Sequence, residues 1–496
     1  MIRVLGGPKR LCDGLTRRDL LQVGALGLLG ARLAPRTSAA TAPRGFGKAR
    51  ACILLYLYGA PSQLETFDPK PKAPLEIRGD LGGAIATSVP GTSIAQGLPL
   101  IATVADKLCL VRSVTHPYPI HGVAYALTGN PRIELAQELN PRDAGHWPFI
   151  GSVVDYLDAR AAGPDAPPPE VPRNLALPWA FSSRRIGEVA RAGPYGGFLG
   201  PAFDPVSTDF RGKGTVKAQK TLNELKWDDY ELYRGIEPEA RFGLRAWSDE
   251  PSLTLDRLDK RRSLLEQIER ARPAIDAAAD RHAGSDRNRQ QAYALLASDR
   301  LRRAFDLGEE AGPTRDLYGP TLFGQASLTA RRLVEAGGRF VTVFWDEYGL
   351  AGTGWDTHWD HHARMKDELL PGLDRTLSGL LLDLDSRGLL DEVLVMVLSE
   401  HGRTPKIHPA AGGGGRDHWS RCYSVALAGG GLARGAVIGR SDAIASDPVE
   451  HPVSPKDLLA TAFHLLGLDP STEIHDRQGR PLALTPTGRV LDELIA

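Results

Sequence analysis

Val393-Leu394-Val395-Met396-Val397-Leu398-Ser399-Glu400-His401-Gly402-Arg403 is the stretch whose reading decides the fold. It opens with an unbroken apolar run of β-branched residues, Leu and Met. There is no apolar/polar alternation, so the strand is covered on both faces, as in a parallel sheet flanked by helices. The run stops at Ser399, and an acid and an imidazole follow side by side. Loops beyond the carboxyl ends of parallel strands line the binding crevice of open α/β sheets. A carboxylate next to a histidine in that place is metal-ligand chemistry.

Working outward, Arg339–Trp345 reads as another strand. The amphipathic stretch Leu328–Ala336 precedes it and is stopped by Gly337-Gly338. Leu369, Leu373, Leu377, Leu380, Leu381 and Leu384 mark a long helix ending at Gly388, so the region is a strand–helix–strand unit. Ala51–Leu57 reads as the first core strand, breaking into Gly59-Ala60-Pro61-Ser62-Gln63. Leu108–Val114 is a second strand, ending in Thr115-His116-Pro117, and a helix is expected over Gly122–Leu127. Tyr423–Leu427 is a short strand and Asp457–Leu466 a helix. Pro and Gly cluster from Ala161 to Pro178, which reads as a surface loop. A charged, helical insertion is expected at about residues 218–315. The fold class expected is α/β, a mostly parallel central sheet flanked by helices.

The chain has 496 residues, with 60 basic and 60 acidic side chains. That balance gives no electrostatic footprint for nucleic acid or an anionic membrane. Cys52 and Cys109 lie inside apolar runs and read as buried free thiols, and no disulfide framework or CxxC knuckle is present. Residues 1–42 read as a twin-arginine export signal. Arg17-Arg18 precede the weakly hydrophobic stretch Leu20–Ala31, and small residues at Ser38, Ala39, Ala40 and Ala42 offer cleavage sites. The expected location is periplasmic or secreted, with no transmembrane span once the signal is removed. The remaining domain then runs over 48–496.

Two further acid/His pairs accompany Glu400-His401. Gly354-Trp355-Asp356-Thr357-His358 follows the Arg339–Trp345 strand, and Arg416-Asp417-His418-Trp419 follows the glycine run Gly412–Gly415. Asp356, His358, Glu400, His401, Asp417 and His418 are the candidate metal ligands. Mixed oxygen and nitrogen ligation suits a divalent transition metal, Zn or Mn, as one or two ions. Such an ion activates water or polarises an ester oxygen. His361 and His362 are expected on the next helix, facing solvent. His116 and His121 are candidates for acid/base work ahead of a helix N-terminus. Arg403 is a candidate for pairing an anionic substrate, or equally for pairing Glu400.

Several separated motifs resemble one family. They are the twin-arginine start, Gly59-Ala60-Pro61-Ser62-Gln63 through Thr66-Phe67-Asp68-Pro69-Lys70-Pro71, Thr115-His116-Pro117 with His121-Gly122, and Gly354–His358. Ser399-Glu400-His401-Gly402-Arg403-Thr404-Pro405, Gly415–Trp419 and His475-Asp476-Arg477 complete the set. Together they resemble the bacterial domain-of-unknown-function family 1501 (DUF1501), which is placed among sulfatase-like proteins of the alkaline phosphatase superfamily. The resemblance implies an alkaline phosphatase-like core and a two-metal esterase. Glu400-His401 takes the place of the usual Asp-His pair, Asp356 and His358 that of the other metal's pair, and His418 that of the last ligand. It implies a sulfate or phosphate ester as substrate, a small anionic ester or a sulfated polysaccharide. The alternative is a non-catalytic sulfatase-like protein that binds an anionic glycan or a protein partner. Two departures stand out. Pro117-Tyr118-Pro119-Ile120-His121 lacks the Cys or Ser of the formylglycine segment. The first strand ends in Tyr58-Gly59, where a ligand Asp is usual, and Glu65 and Asp68 are the nearest carboxylates.

Overall fold

The computed structural model describes residues 43–118, 123–130, 140, 142–163, 166–181, 193–217, 230–244, 247, 292–345, 354–409 and 414–496. The central sheet has eight strands: β1 (Ala51–Tyr56), β2 (Leu108–Val114), β3 (Asn174–Leu177), β4 (Val206–Ser207), β5 (Phe340–Phe344), β6 (Val393–Leu398), β7 (Tyr423–Ala428) and β8 (Val437–Ile438). Their order across the sheet is β8-β2-β7-β6-β1-β5-β3-β4. β1 pairs in parallel with β6 on one side and β5 on the other, and β5 pairs in parallel with β3. β7 alone runs against its neighbours β6 and β2. The fold is therefore α/β with a mostly parallel sheet, as the Val393–Leu398 run predicts.

Every residue of β1, β5 and β6 is buried. Successive side chains of a strand point to opposite faces, and β1 feeds two separate cores. Ile53 and Leu55 join the core beneath the helices α3 (Leu322–Glu335) and α4 (Leu370–Ser386). Cys52, Leu54 and Tyr56 join the core beneath α1 (Val123–Thr128), α2 (Ile150–Ala162) and α5 (Pro455–Leu465). Cys52, Cys109 and Cys422 are free and buried. Among the described residues no helix is long and apolar enough to cross a membrane.

Several expectations are corrected. α3 starts at Leu322, ahead of the expected Leu328, because the Thr321 hydroxyl accepts from Gly324 N at 3.1 Å and caps the helix there. The segment 161–178 is not all loop: Asn174–Leu177 is a buried strand, hidden in the sequence by Pro172 and Pro178. The expected insertion over 218–315 lies largely outside the described residues. Within it, Tyr230–Ile236 is a strand paired with Gly214–Lys217, not helix. The leucine helix begins earlier than its leucines, at His361. It passes through a π-helical stretch, Met365–Leu369, before continuing as α4. Pro371 follows that stretch, and a π turn accommodates the hydrogen bond that proline cannot donate.

Two-faced burial predicts that Leu54→Ala and Leu55→Ala, neighbours in sequence but on opposite faces, each destabilise the fold by about 2–5 kcal/mol. Denaturant unfolding checks this. A near-neutral result for either variant would show that one face of the sheet is open.

Candidate functional site

Three adjacent parallel strands, β6, β1 and β5, end on the same edge of the sheet and carry the candidate residues there. β1 runs into Gly59, β6 into Ser399-Glu400-His401, and β5 leads towards Asp356. Gly59 sits at φ +95°, and a Cβ there would lie 2.3 Å from Asp356 N, so only glycine lets the two loops meet. Trp355 N donates to Tyr58 O at 2.9 Å and fixes that crossing. The last loop arrives as a small ribbon in which Gly402 pairs with Trp419 and Arg403 with His418. A Cβ on Gly415 would lie 1.7 Å from His358 O, so this loop presses directly on the Asp356–His358 loop.

The result is a triangle of ligand atoms. Asp356 Oδ1 lies 3.0 Å from His358 Nε2 and 3.2 Å from His418 Nε2, and the two Nε2 atoms are 3.1 Å apart. His358 Nδ1 is 2.8 Å from Asp417 Oδ1, a carboxylate that can only accept while ionised. That assigns the proton to Nδ1 and turns the Nε2 lone pair of the neutral ring into the triangle. Two imidazole nitrogens and a carboxylate oxygen converging in this way are the donor set of a divalent transition metal. When no ion is bound in the triangle, protonation of Nε2 is favoured instead: the protonated ring donates to Asp356, which chiefly raises the His358 pKa, with burial opposing. His401 is fully buried beside the triangle. Its ring centroid is 4.5 Å from that of His418, and its Nδ1 is 2.8 Å from Gly402 O, so Nδ1–H donates and Nε2 is the acceptor nitrogen.

A second convergence lies nearby: Glu65, His361 and His362 also offer ligand atoms within 4.8 Å of one another. It already holds a cation. Arg416 Nη2 donates to Glu65 Oε1 at 2.6 Å, and Arg416 Nε donates to His361 Nε2 at 3.3 Å. Burial raises the Glu65 carboxyl, but Arg416 and His361 override it and hold the group far below the usual carboxylate range. Burial pushes His361 down to about 4, so it stays neutral. His361 Nδ1–H then donates to the Thr357 hydroxyl at 2.7 Å.

The profile of the family described as "Protein of unknown function (DUF1501)" matches residues 49–495. The chain belongs to that family. A comparison with curated proteins finds no match. Solved structures with some likeness include the PsFucS1 sulfatase from Pseudoalteromonas sp., 12% identical over 93% of this chain and 73% of that one, TM-score 0.35. They also include the phosphonate monoester hydrolase of Agrobacterium radiobacter, 12% identical over 90% and 77%, TM-score 0.34. A third is Ps i-CgsB in complex with k-i-k-neocarrahexaose, 12% identical over 85% and 72%, TM-score 0.36.

In this DUF1501 chain the expected site residues separate into distinct roles. Asp356, His358 and His418 converge, with His401 alongside. Asp417 does not join them: it is exposed and sits behind His358, orienting the ring. The Glu400 carboxylate is not among the converging atoms either. It accepts from Gly59 N at 2.7 Å and from Ser399 Oγ at 3.0 Å, tying β6 to β1. Arg403 is fully buried and unavailable to a substrate. It donates to Ala60 O at 3.0 Å, to Arg416 O at 3.1 Å, and to Gly59 O and Asp356 Oδ1. Its partner is Asp356, not Glu400. His116 is spent as well: Nε2 lies 2.7 Å from Glu400 O, and Nδ1 accepts from Tyr118 N at 3.2 Å. Burial pushes its pKa down to about 4. It is a neutral strut, not an acid/base group. His121 lies outside the described residues. His361 does not face solvent; it is fully buried. The sequence carried a signal for that, because His361, Met365, Leu369, Leu373 and Leu377 repeat every four residues, and all five are buried.

His116 and His361 each have a folded pKa of about 4 against an ordinary value of 6.5. Between those limits the unfolded chain binds more protons, so stability falls as pH drops from about 6.5 towards 4. His116→Gln removes one of the two titrations. The dependence of unfolding free energy on pH near 5 should then be shallower by about 1.4 kcal/mol per pH unit. An unchanged slope in urea titrations at several pH values would show that His116 is already protonated in the fold.

Proposed function

We propose that this chain is an exported, metal-dependent hydrolase of sulfate or phosphate esters, its substrate a small anionic ester or a sulfated polysaccharide. The observation that carries the reading is the triangle of Asp356 Oδ1, His358 Nε2 and His418 Nε2. These residues would hold one divalent ion, Zn or Mn. When bound, it supplies a positive charge that polarises an ester oxygen. The chain's own residues then do the remaining work. Asp356, His358 and His418 would hold the ion with three protein ligands, the number found in hydrolytic sites. Asp417 keeps the His358 ring in the tautomer that presents Nε2. Arg403 places a fixed positive charge against Asp356, so the carboxylate's charge is offset and an anionic ester is not repelled. His401, with its proton at Nδ1 on Gly402 O, presents Nε2 as an acceptor that takes a proton beside the ligands. The twin arginines Arg17-Arg18 support export of the folded, loaded protein.

Elemental analysis and an ester screen test this together. The wild-type chain should carry one transition metal per chain and hydrolyse a sulfate or phosphate monoester. Asp356→Ala/His418→Ala should lose both. His401→Gln should keep the metal and lose turnover by about 10²–10⁴-fold, the usual contribution of a positioned acid/base group. No metal after reconstitution with Zn and Mn would sink the reading. Metal without hydrolysis would leave the chain as a binding protein for anionic glycans. Export is checked separately: Arg17→Lys/Arg18→Lys should leave the precursor in the cytoplasm.

A further inference from the structure

We propose that Glu65, the carboxylate that follows the first strand, is a positioning residue for the metal centre. Through Arg416 and His361 it fixes the two loops that carry Asp356, His358 and His418, and it holds no ion itself. The proposal rests on the metal reading above.

Glu65, His361 and Arg416 are all fully buried. Arg416 Nη2 reaches Glu65 Oε1 at 2.6 Å and Ile77 O at 2.6 Å, while Nη1 reaches Thr404 O at 3.0 Å and also Pro405 O. Its backbone N donates to Thr357 O at 3.1 Å. His418 lies two residues further along. His361 sits on the other side of the same carboxylate, with Nε2 3.4 Å from Glu65 Oε2. Its Nδ1 engages the hydroxyl of Thr357, the residue between Asp356 and His358, and its backbone N donates to Gly414 O at 3.2 Å. One carboxylate thus anchors a guanidinium that grips one ligand loop and that, by donating Nε–H to His361 Nε2, holds the imidazole that grips the other. Because Gly415 is packed against His358 O with no room for a Cβ, a shift of one loop passes to the other.

The same geometry argues against an ion at Glu65. A metal bound by Glu65 and His361 would stand beside the Arg416 guanidinium in a site without solvent screening, where like charges repel strongly. The cation of this second cluster is therefore part of the protein. The Glu65 carboxylate is used for alignment.

The test loads the full chain with Co(II) and reads stoichiometry, affinity and the visible absorption bands, which report ligand geometry. Wild type and Asp356→Ala come first: binding in one and loss in the other establishes the metal reading, and no binding in wild type overturns that reading and this proposal together. With binding established, Glu65→Gln decides. The expected result is unchanged stoichiometry, affinity weaker by about 10–100-fold, and shifted bands, the scale seen when an outer partner of a ligand is lost. Wild-type affinity and bands overturn the proposal. Loss of one Co(II) from a two-ion wild type also overturns it, because Glu65 would then be a ligand. If Glu65→Gln fails to fold, the charge-neutral double variant Glu65→Gln/Arg416→Met takes its place under the same criteria.

Discussion

The buried guanidinium of Arg403 is the point on which the site depends. Its donors reach Gly59 O and Ala60 O after β1, Arg416 O before His418, and Asp356 Oδ1 after β5. Its backbone is clamped in turn by Gln63, whose Oε1 accepts from Arg403 N at 3.0 Å and whose Nε2 donates to Arg403 O at 2.9 Å. A buried cation is tolerated only when it is paired and its donors are used. Arg403 meets that condition only when all three loops are in place. Folding of the sheet edge and assembly of the ligand triangle are therefore one event. Removing the Asp356 partner would leave a charge without solvent, at about 3–5 kcal/mol.

The sheet explains why these loops meet at all. β6, β1 and β5 are neighbours and run in one direction, so their carboxyl ends fall on one edge. This much was legible in the sequence, because strands covered on both faces are predominantly apolar, and Val393–Leu398, Ala51–Leu57 and, but for Arg339 and Thr342, Arg339–Trp345 are. Asp356, His358 and His418 were legible for a related reason: each lies in a Gly-bounded loop, and two of the three pair with an acid close in sequence. What a strand cannot announce is its direction. Tyr423–Leu427 reads the same whether it is parallel or antiparallel, and β7 is antiparallel.

The roles of single polar side chains were less legible, and the cause is range. Arg403 sits 344 residues from Gly59 and 47 from Asp356, so no local pattern shows that its donors are already taken. His116 looks like an acid/base group until the Glu400 carbonyl, 284 residues away, occupies its Nε2. Glu65 meets Arg416 across 351 residues. His361 differs: its four-residue repeat with Met365 and Leu369 was available, and a preference for placing histidine on the solvent side outweighed it.

Two buried arginines beside one candidate cation site look contradictory, since each lowers the affinity of that site for a positive ion. The contradiction resolves when the partners are separated. Arg416 is matched by Glu65, a carboxylate outside the triangle. Arg403 is matched by Asp356, which is in the triangle, and so it acts on the site directly. Arg403, His358 and His418 all meet Asp356 at the same oxygen, Oδ1, so one lone pair takes the guanidinium, which fixes the orientation, and the other faces the imidazoles. The cost is a weaker hold on the ion than two carboxylates would give. Under the proposed function the gain would be a centre whose protein ligands carry little net charge against Arg403, so that a divalent ion there would present nearly its full charge to an anionic ester. That balance would be lost if Asp417 turned inward to become a second carboxylate ligand. Its bond to His358 Nδ1, on the far side of the ring, holds it out of that position.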